Sequence, residues 1–245
     1  MFRSFIFSIL FISSFPTLAE INIVKISENL YLVKSFKKII NIYDSNDPKL
    51  LDANAVLFIE GKDAYLIDTP WNASDMPDLM SWIEKKNLTL KKALITHSHE
   101  DRSAGISYLN KHNIPTYSSL KTKELLKRDE FALTKYTFTQ EEFSFFPGRI
   151  EVYYPGPGHT EDNLTVWFPT ENILMGGCIL RDEHTDTLGW IGDANLKHWH
   201  HSVQNIFNRY AAAIKVIPGH GSVGTTDSVI QHTLNLTKDY STQEK

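Results

Sequence analysis

The stretch Thr96-His97-Ser98-His99-Glu100-Asp101-Arg102 closes a run, residues 92–96, that reads as a buried strand. If the chain continues extended, His97, His99 and Asp101 project to one side, because residues two apart share a face. Two imidazoles and a carboxylate facing one point are nitrogen and oxygen donors that zinc accepts. One surface histidine would carry no such meaning. The H-x-H-x-D spacing at the end of an apolar strand does point to a metal.

Three more donors stand in comparable places. His159 lies in Pro155-Gly156-Pro157-Gly158-His159-Thr160, Cys178 follows Gly176-Gly177 after the apolar run 173–175, and His220 sits in Pro218-Gly219-His220-Gly221 after a strand at 213–217. In each case a potential ligand occurs where a strand gives way to a glycine-bearing loop. Alone, each reads better as a turn residue or, for the two histidines, as a hydrogen-bonded side chain. Open α/β sheets, however, build their sites at the carboxyl ends of strands, and four such ends here carry donors. The other histidines (His112, His184, His198, His200, His201 and His232) lack ligand spacing and read as surface or packing residues.

Around these motifs, strands are expected at residues 21–26, 30–36, 55–59, 64–67, 143–146, 150–154, 164–168 and 173–175, each bounded by polar or glycine positions. Helices are expected at 74–86, 103–112, 120–128, 196–212 and 226–240. Strands recurring between helices predict a layered α/β protein with helices covering sheet faces. Residues 37–52 break the pattern; this polar segment fits either a hairpin connection or a flap that lays apolar side chains over a site.

Composition limits the remaining options. At 245 residues, with 42% hydrophobic and 22% charged, the chain is ordinary for a globular protein, and its net charge of −4 with both signs interspersed gives no footprint for nucleic acid. Arg3, the apolar run 5–15 and Thr17-Leu18-Ala19 have the layout of a cleavable signal peptide over residues 1–19, and that run is too short to span a bilayer. The mature chain, 20–245, is expected to be a single periplasmic domain with no further membrane attachment. Cys178 is the sole cysteine, so no intramolecular disulfide is available at an oxidising destination.

These pieces resemble the metallo-β-lactamase superfamily, and within it the subclass B1 β-lactamases. The matching segments are Leu66-Ile67-Asp68-Thr69-Pro70, His97-Ser98-His99-Glu100-Asp101, Tyr154 to Thr160, Gly176-Gly177-Cys178, Leu188-Gly189 with Gly192-Asp193-Ala194, and Pro218-Gly219-His220. They span essentially the whole mature chain in order. The resemblance implies an αβ/βα sandwich, two mixed β-sheets packed face to face with helices outside. It implies two Zn2+ per chain: His97, His99 and His159 would hold the first, and Asp101, Cys178 and His220 the second. Asp101 would also act catalytically by orienting the attacking water, and Asp68 would buttress the metal loop. The implied reaction is hydrolysis of the amide bond of β-lactam antibiotics (penicillins, cephalosporins and carbapenems) by a monomer that needs no protein partner.

Three positions depart from the commonest pattern. Arg181 stands where many relatives carry a lysine that grips the substrate carboxylate, and Trp190 where many carry an asparagine; both are expected to bind substrate. Arg102 occupies a variable position expected near the second metal. The alternatives are another zinc hydrolase of the same fold, acting on a thioester, lactone or phosphodiester, and a noncatalytic zinc protein. Relatives of the first kind often follow the motif aspartate with a histidine and use a later aspartate as a metal bridge; Arg102 and Cys178 take those places here. A structural zinc is normally closed by four protein ligands, whereas two sets of three leave positions open.

Overall fold

The computed structural model of the protein describes residues 21–40 and 48–241. The signal-peptide expectation at 1–19 lies outside them, as does the centre of the 37–52 segment. β1 (Asn22–Lys25), β2 (Leu30–Ile39), β3 (Lys49–Glu60) and β4 (Asp63–Ile67) form an antiparallel meander. α1 (Met76–Lys85) then leads into β5 (Thr89–Leu94), which lies parallel to β4. The short helices α2 (Glu100–Ser103) and α3 (Ile106–Lys111), β6 (Thr116–Ser119), α4 (Leu120–Arg128) and β7 (Tyr136–Phe138) complete a seven-stranded sheet in the order β1 to β7.

The second half builds a five-stranded sheet. β8 (Glu142–Phe146), β9 (Ile150–Tyr153), β10 (Thr165–Phe168) and β11 (Ile173–Gly177) run antiparallel; α5 (Leu196–Tyr210) then crosses to β12 (Lys215–Pro218), which pairs parallel with β11. A π-helical turn at Thr226–Gln231 precedes α6 (His232–Ser241).

The period of two in the strands decides the layering. On β3, Val56 and Phe58 join Leu30, Leu32, Tyr65, Ile67, Val166, Phe168 and Met175 in a core between the two sheets. Ala55 and Leu57 face the other way, against Met76, Leu79 and Ile83 of α1. Behind the second sheet, Leu174 and Val216 meet Trp199, Val203, Ile206 and Tyr210, which recur at helical spacing along α5. The result is the αβ/βα sandwich with two mixed sheets expected above.

Four details differ from the sequence reading. β5 runs from Thr89 to Leu94, and the last helical region opens as a π-turn. The single helix expected at 103–112 is instead α2 and α3, broken where Gly105 packs so closely on Thr69 that a Cβ there would lie 2.8 Å from the Thr69 Cβ. β6 and β7 went unread because they are only four and three residues long, too short for a period-two pattern to show. The hairpin reading of 37–52, by contrast, fits its described arms: residues 37–39 pair with 49–51, Lys37 opposite Leu51 and Ile39 opposite Lys49.

Candidate metal centre

The parallel strands β4, β5 and β6 end on one edge of the first sheet, and β11 and β12 end beside it in the second. After β5 the chain runs irregularly through Thr96 to His99 and then turns into α2. His99 caps that helix in extended geometry (φ −61°, ψ 151°), while Asp101 belongs to its first turn. The expected convergence of His97, His99 and Asp101 therefore arises from an extended segment followed by a helical turn, and the strand-like alternation first assumed is not its cause.

All six expected donors reach one region. Ligand atoms within 4.8 Å of one another form three overlapping sets: His97, His99 and Asp101; His97, His159 and Cys178; and Asp101, Cys178 and His220. His99 Nδ1 lies 3.1 Å from His159 Nε2. Cys178 Sγ is 3.5 Å from both Asp101 Oδ2 and His220 Nε2, and His220 Nε2 is 3.2 Å from Asp101 Oδ2.

Each donor is held from behind. Asp68 follows β4 in a left-handed conformation (φ 60°) and accepts from the Thr96 amide at 2.7 Å and the Thr96 hydroxyl at 2.8 Å. Arg102 is fully buried. It donates to Asp101 Oδ2 through Nε and Nη2, to the Asn54 carbonyl through Nη1 and to the Gly219 carbonyl through Nη2. Asn54 also donates to the carbonyls of Pro218 and Gly221, pinning the loop that carries His220. His220 Nδ1 donates to the Asp52 carbonyl, which turns Nε2 toward Asp101 and Cys178. Gly219 is required here, since a Cβ would lie 2.5 Å from Cys178 Sγ.

His159 sits in a loop fastened by Ser202 to the Pro157 carbonyl and by Asn205 to the Pro155 carbonyl, both from α5. Trp199 packs edge-on against the His159 ring and donates to the Ile179 carbonyl, so one buried indole braces two donor loops. His99 Nε2 lies 3.1 Å from Asp193 Oδ2, an arrangement that orients the imidazole and leaves Nδ1 facing inward. The sequence motif around Asp193 was visible, but its contact with His99 was not. Asn54 and Asp52 were missed altogether, because neither belongs to a motif.

The electrostatics suit a bound cation. Burial lowers the pKa of His97 and His159 well below the usual value, with His99 adding to the effect, so both are neutral imidazoles. His97 Nε2 and His159 Nδ1 are buried without a hydrogen-bond partner. Burial alone would raise Asp101, but the Arg102 guanidinium and the His220 imidazole override it and hold the carboxyl well below its usual range. Burial pushes Asp68 up to about 7, against the lowering effects of Arg102 and the Thr96 donors. Burial would lower His220, yet the facing Cys178 sulfur and Asp101 carboxylate lift it to about 10. The neutral imidazoles of His97 and His159, the Cys178 sulfur and the Asp101 carboxylate share one edge as donors that zinc fits, and a cation bound there would take the place of the His220 proton.

A cleft of about 610 Å3 opens over this edge, lined by His99, Asp101, His159 and His220 and also by Arg181 and Trp190. The Arg181 guanidinium lies near Gly189, where a Cβ would come within 2.9 Å of Nη2, and its Nε is buried without a partner. Trp190 is 68% exposed. From the hairpin arms, Leu51 and Asp52 reach the cleft, and Lys37 pairs with Glu100 while its ammonium lies over the Trp71 ring at 5.8 Å.

Residues 48–224 match the family model described as the metallo-beta-lactamase superfamily. A metallo-beta-lactamase type 2 from Pseudomonas aeruginosa is 36% identical over 207 residues, covering 84% of this chain and 80% of that protein. Another from Elizabethkingia meningoseptica is 33% identical over 230 residues, covering 92% and 88%. Among solved structures, DIM-1 metallo-beta-lactamase exposed to ceftazidime superposes with a TM-score of 0.85 at 39% identity, covering 90% of this chain and 97% of that one. TMB-1 gives the same score and identity, covering 90% and 98%.

Proposed function

This chain belongs to the metallo-beta-lactamase superfamily, and from that membership and the donor geometry we propose that it is a zinc-dependent hydrolase that opens the amide bond of β-lactam antibiotics. The observation that carries the reading is the convergence of four imidazoles, one carboxylate and one sulfur, drawn from both sheets, on one edge of the sandwich beneath an open cleft. His97, His99 and His159 would hold one zinc, and Asp101, Cys178 and His220 a second. Zinc held there supplies Lewis acidity and a water acidified toward neutral pH.

The chain's own residues do the rest. Asp101, fixed by Arg102, faces the cleft with a lone pair available to orient the attacking water and to pass its proton onward. Arg181 provides a planar cation for the substrate carboxylate, a geometry that guanidinium matches with paired N–H donors. Trp190 offers an apolar wall beside it. Asp68 holds Thr96, which immediately precedes His97, so the metal loop is positioned before substrate arrives.

Residues 1–19 are read as a leader removed on export to the periplasm, leaving 20–245 as one domain acting as a monomer. N-terminal sequencing of the exported protein should begin at Glu20. Hydrolysis of a chromogenic cephalosporin and of a carbapenem, followed with and without chelator, tests the activity. Loss on chelation and return with zinc are expected. Zinc binding without cleavage of any lactam would instead favour a thioester, lactone or phosphodiester substrate.

A further inference from the structure

The inner face of the first sheet changes character as it nears the donor edge. On β3 the inward positions, two apart, are Phe58 and Val56 and then Asn54 and Asp52; on β2 they are Leu30 and Leu32 and then Lys34. The apolar half belongs to the core between the sheets. Lys34 pairs opposite Asn54 and Phe36 opposite Asp52, so Lys34 and Asp52 are diagonal neighbours on that face. A lysine and an aspartate pointing into a sandwich need partners there, and each side chain is only about a fifth exposed.

Their partners are each other and one residue, Gly221. Lys34 Nζ forms an ion pair with Asp52 Oδ2 and donates to the Gly221 carbonyl at 2.9 Å. The Gly221 amide donates to the two oxygens of the same carboxylate at 3.0 and 3.1 Å. Both backbone groups of Gly221 are thus held by one ion pair, with Asn54 adding a second donor to the carbonyl at 3.1 Å. The main-chain carbonyl of Asp52 meanwhile accepts from His220 Nδ1. Asp52 therefore holds the imidazole through its backbone and the next peptide through its carboxylate. The hold matters because His220 stands between Gly219 and Gly221, the residue type that fixes its own backbone least. Gly221 sits at φ 82°, and the loop beyond it is fastened once more, by the Ser222 amide to Asp182.

Resting on the reading that Asp101, Cys178 and His220 hold the second zinc, we propose that Lys34 and Asp52 are positioning residues, an ion-pair clamp on Gly221 that keeps His220 Nε2 aimed at that metal. The clamp acts through the backbone of residues 220 and 221; neither of its side chains is a ligand. Charge and position make opposite demands on Lys34. A cation beside a metal cage repels the metal, so by charge alone its removal tightens metal binding. Removing a clamp does the reverse, since it frees Gly221 and loosens the ligand just before it.

Cobalt titration of the metal-free protein separates the two. Cobalt bound by Cys178 gives a sulfur-to-metal absorption in the near ultraviolet, whereas cobalt among three imidazoles gives only weak visible bands, so each cage has its own signal. With Lys34→Met, which keeps the apolar stem, the free cobalt that half-saturates the sulfur band should rise about three- to tenfold. With Asp52→Ala the rise should be about ten- to a hundredfold. Lys34→Arg keeps a cationic donor and should stay near the wild type. The midpoint of the sulfur-free visible bands should not move in any of them. An unchanged or lowered sulfur-band midpoint in Lys34→Met would overturn the clamp, and so would an equal rise at both cages, which marks general loosening. Lys34→Met decides alone if Asp52→Ala does not fold. A wild type without any sulfur band would instead sink the two-cage reading, and the clamp with it.

Discussion

Arg102 Nη2 lies 2.9 Å from Asp101 Oδ2, and both side chains are buried, the arginine completely. The same guanidinium reaches the carbonyls of Asn54 and Gly219, which belong to different sheets. One residue thus sets the aim of the carboxylate proposed to hold the second zinc and ties β3 to the loop after β12.

Replacing Arg102 by Ala leaves Asp101 and Asp68 buried beside each other without their shared cation. Stability should fall by about 3–5 kcal/mol, the range for breaking a buried ion pair. Urea unfolding of the metal-free proteins measures it, and a loss under 1 kcal/mol would mean the pair is not a structural support.

Cys178→Ser exchanges a sulfur that becomes thiolate on zinc for a hydroxyl that stays protonated. The second equivalent of zinc should bind at least about tenfold more weakly, and turnover should drop with it. Competition against a chromophoric chelator reads the affinity. Two tight equivalents in the variant would remove Cys178 from the ligand set.

Arg181→Ala should raise KM for carboxylate-bearing lactams about tenfold with kcat little altered, the loss of roughly one charge-assisted interaction. Steady-state kinetics on a lactam and its methyl ester separate the effects. If KM for the free acid holds steady, Arg181 does not meet the carboxylate.

Asp193→Asn keeps the shape but weakens the hold on His99 Nε2. Zinc affinity should decrease about 10- to 100-fold, as carboxylates behind ligating imidazoles commonly contribute. An unaltered dissociation constant would show that the 3.1 Å contact does not orient the imidazole for metal.

Much of this was legible beforehand, for identifiable reasons. α4 was read at its observed bounds because Ser119 is a capping residue, accepting from the Thr122 amide, and its charged and apolar positions alternate at helical spacing. The six donors stood out because each follows a strand and has glycine beside it or metal-ligand spacing. The lining of the cleft by Phe131 was invisible beforehand, because only the folded chain brings that loop to the donor edge. Asn54 escaped for the same cause, since its amide matters through Pro218 and Gly221, more than 160 positions along the chain.

The donors are divided between the sheets. The first sheet supplies His97, His99 and Asp101, and the second supplies His159, Cys178 and His220, so a cation in either proposed cage is gripped from both sides of the sandwich at once. Such an ion acts as a rivet through the seam between the two halves. Any breathing of one sheet against the other must open the cages, so the rate at which metal escapes into a chelator should report how often the halves part.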